Sequence, residues 1–234
     1  MRKHLLRALI VLAGLVVLAA PASADSMTFT GYFCISSNSP SCGSFASAVT
    51  LTVFWNQSVT AGSQTVTASS SQVGFLITQN AGFGVITTIG FADPGNLLSG
   101  GPTPVNLTGT SFSTGCSAGG GTGVPGGGGF GFESVLCSDA DAPPASNGIN
   151  SGEYAAVLFT LANPSQTGYN DVINAINNGT FWIGSHVQSL PDATGGTNQS
   201  DAIVCCRTNV PEPGTLALLG AGLLGLVAAR RRLQ

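Results

Sequence analysis

Apolar and polar residues alternate with period two in one short run after another along this chain, and a chain so patterned has to pair strands. Val49, Leu51, Val53 and Trp55 fall on one face of an extended segment, while Thr50 and Thr52 take the other. Phe83, Val85, Ile89 and Phe91 do the same around Thr88 and Gly90. Similar runs at 27–35, 73–78, 130–136, 154–161 and 181–188 are separated by Gly, Ser, Asn or Pro, the residues that turn a chain. This punctuation predicts a mainly β fold, an antiparallel sandwich of jelly-roll-like type. One helix interrupts it: Tyr169, Val172, Ile173 and Ile176 follow helical spacing, and Gly179 stands where a C-terminal stop belongs. That helix is expected to cover an open end or edge of the sandwich.

Charge divides the chain into three parts. Of seven basic residues, Arg2, Lys3, Arg7, Arg230, Arg231 and Arg232 lie in the two ends, and only Arg207 lies between. Residues 25–209 carry nine of the ten acidic residues against that one arginine, a net charge near −8. Such a surface repels phosphate backbones, so a nucleic-acid partner is excluded. The segment is long enough for one sizeable core and too short for two, which predicts a single domain.

The two ends read as targeting segments. A basic start, an apolar run at 8–20 and small residues at Ala22, Ser23 and Ala24 make a secretory signal peptide over 1–24, cut after Ala24 and exported through the Sec translocon. At the other end, residues 214–229 hold no charge, and as a helix they would reach about 24 Å, enough to span a thin bilayer. Arg230, Arg231 and Arg232 follow and would stay on the cytoplasmic side. Before the span, Val210, Pro211, Glu212 and Pro213 form an extended, exposed segment, because two prolines can neither continue a helix nor pair in a central strand.

This tripartite ending, residues 210–234, resembles the PEP-CTERM sorting signal of Gram-negative bacteria. The resemblance implies recognition by an exosortase at Pro211, Glu212 and Pro213. It also implies transient anchoring in the inner membrane and delivery of the 25–209 body to the cell surface or extracellular matrix. A structural or adhesive role in a biofilm-type exopolysaccharide is what it implies for the body. A carbohydrate-binding module using Trp55 or Trp182, and a secreted hydrolase, are the alternatives.

Six cysteines, Cys34, Cys42, Cys116, Cys137, Cys205 and Cys206, lie in the exported part, where an even number reads as disulfides. Proximity pairs Cys34 with Cys42 and Cys116 with Cys137. Adjacent residues on a strand face opposite ways, so Cys205 and Cys206 could each bridge a different partner, a vicinal bond needing a turn.

Catalytic machinery is not expected. The glycine-rich stretch 119–129 lacks the lysine of a phosphate cradle and reads as a loop. His186 is the one imidazole outside the signal peptide, sharing a strand face with Trp182 and Gln188, and it reads as a packed histidine rather than a general base. No cofactor is expected. Asp139 and Asp141, and Asp192 and Asp201, are the carboxylates a calcium ion would draw on, although neither stretch has EF-hand spacing.

Overall fold

The structure, a computed structural model, describes residues 25–35, 38–116, 124, 132, 136–197 and 199–206. The expected signal peptide, the sorting motif with the expected span and its arginines, and most of the glycine-rich stretch lie outside the described residues. Thirteen strands are described: β1 (Ser26–Thr30), β2 (Phe33–Cys34), β3 (Val49–Trp55), β4 (Ser58–Ala61), β5 (Gln64–Thr67), β6 (Gln72–Gln79), β7 (Val85–Ala92), β8 (Leu98–Asn106), β9 (Phe112–Thr114), β10 (Cys137–Ala140), β11 (Tyr154–Leu161), β12 (Trp182–Leu190) and β13 (Gln199–Cys205). Helices α1 (Cys42–Ser47), α2 (Pro144–Asn147) and α3 (Gln166–Asn177) fall between them.

The strands form a five-stranded sheet in the order β1-β3-β6-β11-β8, a six-stranded sheet in the order β2-β13-β12-β7-β10-β9, and the β4–β5 hairpin. Every strand pair is antiparallel. The two sheets share one core. Leu51, Val53, Phe75 and Val157 from the first sheet are buried with Ile89, Phe91, Ile183 and Ile203 from the second. At its centre four rings interlock across the gap: Phe75 lies 5.0 Å from Phe91 and 5.9 Å from Phe181, and Phe91 lies 4.8 Å from Phe159, centroid to centroid. Ring pairs at these distances, edge-on for Phe91 against Phe75 and Phe159 and stacked for Phe75 against Phe181, add to the apolar burial that holds the sandwich shut.

The expected strands appear with informative departures. The run at 27–35 is broken at Gly31, whose φ of 124° sends β1 and β2 to different sheets. In β7 the pairing shifts by one residue, from Thr88 opposite His186 to Ile86 opposite Val187, leaving Thr87 as a bulge. Ile86, rather than Val85, therefore enters the main core. Strand β8 was hidden by its composition, two glycines and two prolines. It lies at an edge, where a proline's missing N–H breaks no ladder. Of the run at 130–136, only Phe132 and Leu136 are described, and neither is in a strand.

Helix α3 agrees with its spacing: Tyr169, Val172, Ile173 and Ile176 are buried, the Ser165 side chain accepts from the Gly168 N–H, and Gly179 turns the chain at φ 66°. Its Tyr169 hydroxyl donates to the Val53 carbonyl of β3, and its ring stacks on Trp55. The helix thus closes the sandwich beside β3. Among the described residues, no helix is long and apolar enough to cross a membrane.

The outer sheet faces are covered unequally. Hairpin β4–β5 lays Ala61 and Val66 over Phe54, Leu76 and Leu158 of the first sheet. On the second sheet, Val124 and Phe132 cover Ala92, Ala202 and Val204, with Trp182 packed alongside. The rest of that face is polar.

Candidate functional site

The polar remainder of the second sheet is built by register. His186 pairs with Thr88, Thr88 with Asp139, and Asp139 with Ser113, so four strands, β12-β7-β10-β9, contribute one residue each to a single cross-strand row, and Ala202 of β13, opposite His186, belongs to the apolar covered patch. Strand alternation puts His186 and Gln188 on the outer face, opposite to the core residues Ile183 and Val187. The side chains of the row are tied laterally. Thr88 Oγ1 donates to Asp139 Oδ1 at 2.6 Å, Ser113 Oγ donates to Asp141 Oδ1 at 2.6 Å, and Ser111 Oγ donates to Asp141 Oδ2. Thr87, pushed out by the bulge, brings its Oγ1 to 3.4 Å from His186 Nδ1.

These contacts set the electrostatics. The Ser111 and Ser113 hydroxyls hold the Asp141 carboxyl below its ordinary range, since they stabilise the ionised form. Burial pushes the His186 imidazole down, and the charges of Asp139 and Asp201 pull it partly back. A half-buried histidine against Thr87 agrees with the packed histidine read from sequence, and it also stands in the same row as a carboxylate.

The four calcium candidates fall into two settings. Asp139 and Asp141 line one depression together with Ser113 and Thr114. Asp192 Oδ1 accepts from the Thr194 N–H and hydroxyl and from the Gly196 N–H, closing a turn, and these bonds hold its carboxyl low. Asp201 is buried, with Oδ2 accepting from the Asn38 and Ser39 N–H groups and Oδ1 from the Ala202 N–H. Among the described residues, no three His, Cys, Asp or Glu side chains are grouped to hold one metal ion.

The cysteines pair as proximity suggested in two cases. Cys34–Cys42 joins β2 to α1, with Cα atoms 6.1 Å apart, and Cys116–Cys137 joins the end of β9 to the start of β10, with Cα atoms 5.7 Å apart. In the third case, where separate partners and a vicinal bond were both open, the sulfurs of Cys205 and Cys206 lie against each other. The other four cysteines are already consumed in pairs, and both vicinal residues are buried at the end of β13, where strand alternation no longer governs Cys206.

Both tryptophans are partly buried and packed against another ring. Trp55 stacks on Tyr169 and donates its indole N–H to the Ser70 carbonyl at 2.9 Å, and Trp182 packs edge-on to Phe33. Sequence patterning had placed Thr88, His186 and Gln188 on strand faces. It could not assemble them with Asp139 and Ser113, because the row is made by pairing between distant strands.

The end of the chain carries the other functional feature. Residues 209–232 match the family model described as the PEP-CTERM protein-sorting motif, covering Val210, Pro211, Glu212 and Pro213, the apolar stretch and Arg230, Arg231 and Arg232. No curated protein and no solved structure matches the chain. The motif begins three residues after Cys206, the last described residue of the sandwich. The chain is therefore a β-sandwich protein that carries a PEP-CTERM protein-sorting motif, the signal of an exported exosortase substrate.

Proposed function

We propose that the sandwich is a structural or adhesive component of an extracellular polysaccharide matrix, released there after exosortase processing. The observation that carries this reading is the sorting motif at 209–232. The body ahead of it suits such a destination. Two disulfides staple separate segments of it, and no lysine or arginine lies between residues 25 and 206, which denies trypsin-like proteases a cleavage site. The role is one of binding and support, not catalysis: the residues of the polar row are bonded to each other along the sheet, and His186 sits against a threonine hydroxyl.

The test is fractionation of an exosortase-bearing, exopolysaccharide-producing host that expresses the full chain. The wild-type protein is expected in the matrix fraction, and the Pro211→Ala/Pro213→Ala variant in the membrane fraction. Equal recovery of both proteins from the periplasm would refute the reading.

A further inference from the structure

Three depressions lie end to end across the outer face of the second sheet. The first, about 350 Å³, is lined by Gln188, Ser189, Thr197, Gln199 and Ser200. The second, about 170 Å³, shares Gln188 with it and adds Thr87, Thr88, His186 and Asp139. The third, about 450 Å³, shares Asp139 and Ala140 with the second and runs on past Asp141 to Ser113 and Thr114. The second and third follow the cross-strand row from His186 on β12 to Ser113 on β9, three inter-strand steps or roughly 14 Å, and the first extends the trough past Gln188 to the far end of the β12–β13 pair. We propose that this trough binds a polysaccharide chain that bears hydroxyl or amine groups and no acidic ones.

Shape, chemistry and rigidity each narrow the ligand. The trough is a linear succession of shallow basins, which fits an extended polymer better than a compact molecule that would need a deep, mostly apolar pocket. Its walls present carboxylates, amides, hydroxyls and an imidazole, a set rich in acceptors for sugar O–H or N–H donors. Anionic polymers are rejected: with no lysine or arginine among residues 25–206, nothing there would offset their charge against Asp139 and Asp141. The lining stands mainly on paired strands, with Thr87 and Thr88 buried and Thr88 already bonded, so little side-chain freedom is lost on binding.

The inference deepens the matrix reading, but it concerns the purified protein and does not depend on sorting. Native affinity electrophoresis of the exported protein tests it, in gels containing a soluble neutral glucan, chitosan oligosaccharide or polygalacturonate. Slowed migration is expected with the glucan, the chitosan oligosaccharide or both, and none with polygalacturonate. The glucan and chitosan arms tell hydroxyl from amine recognition. Asp139→Ala and Gln188→Ala should each weaken binding about tenfold, the scale of one hydrogen bond to a charged or buried polar group, while Trp182→Ala leaves it unchanged. Ser113→Ala, exposed on the edge strand β9, supplies a third variant should Asp139→Ala fail to reach the wild-type melting midpoint. Unslowed migration in all three gels overturns the proposal, as does retardation by polygalacturonate. Loss of binding in Trp182→Ala with full retention in Asp139→Ala also overturns it. Binding by purified protein, together with unprocessed protein in cells, would fault the matrix reading alone.

Discussion

Gly74 shows how tightly single residues constrain this sandwich. A Cβ there would come within 2.7 Å of three atoms of the Phe54 ring, which is fully buried beneath the β4–β5 hairpin. Gly74→Ala should therefore destabilise the protein by about 1–3 kcal/mol, the usual cost of overpacking. Combining it with Phe54→Leu should recover part of the loss, a coupling that a denaturant double-mutant cycle would read directly. His186 gives a pH signature. Its folded-state pKa is depressed below the unfolded value of about 6.5, so the unfolded chain takes up the proton more readily. The stability associated with the neutral ring is present above about pH 6.5 and is lost as pH falls through the depressed folded value. Melting midpoints measured from pH 7.5 to 5.5 should fall more steeply for the wild type than for His186→Gln. Calcium should leave the midpoint unchanged at millimolar concentration, because Asp192 and Asp201 already serve as acceptors for backbone N–H groups. A rise of several degrees would contradict that expectation.

Elements owe their places to pairing as much as to pattern. Strands β3, β6, β11 and β12 and helix α3 were legible because their apolar runs are strong: α3 buries one clear face, and β6 and β11, buried on both faces, read as near-continuous apolar runs. Strand β8 was not legible, since Pro102 and Pro104 argue against a strand until its edge position is known. The bulge at Thr87 was equally hidden. It is a mismatch between two strands and leaves no mark on either alone, yet it reverses which of Val85 and Ile86 faces the core. The candidate trough follows the same logic: Asp139 and His186 were visible as residues, and their row exists only through the register of β10, β7 and β12. Disulfides act at this scale too. Cys116–Cys137 closes a loop of 21 residues, and removing it as Cys116→Ala/Cys137→Ala should cost about 3 kcal/mol through the greater entropy of the unfolded chain. Chemical denaturation of the oxidised parent and the double variant would measure it.

At the scale of the whole molecule, charge and sorting belong together. Six of the seven basic residues sit in the terminal segments, so trimming at both ends would convert a precursor of net charge −3 into a strongly acidic body. Such a charge resists association with anionic surfaces, which would suit the proposed release from the membrane. The junction is short. The motif begins at residue 209, and the buried Cys206 ends the described sandwich, so the processing enzyme would meet its substrate close to a folded domain. Intact mass spectrometry of the protein recovered outside exosortase-bearing cells tests this account most directly. The account predicts a chain that starts at Asp25 and lacks Arg230, Arg231 and Arg232, with the untrimmed C-terminus confined to the membrane fraction of the Pro211→Ala/Pro213→Ala variant. An extracellular wild-type protein with its three terminal arginines still attached would contradict it.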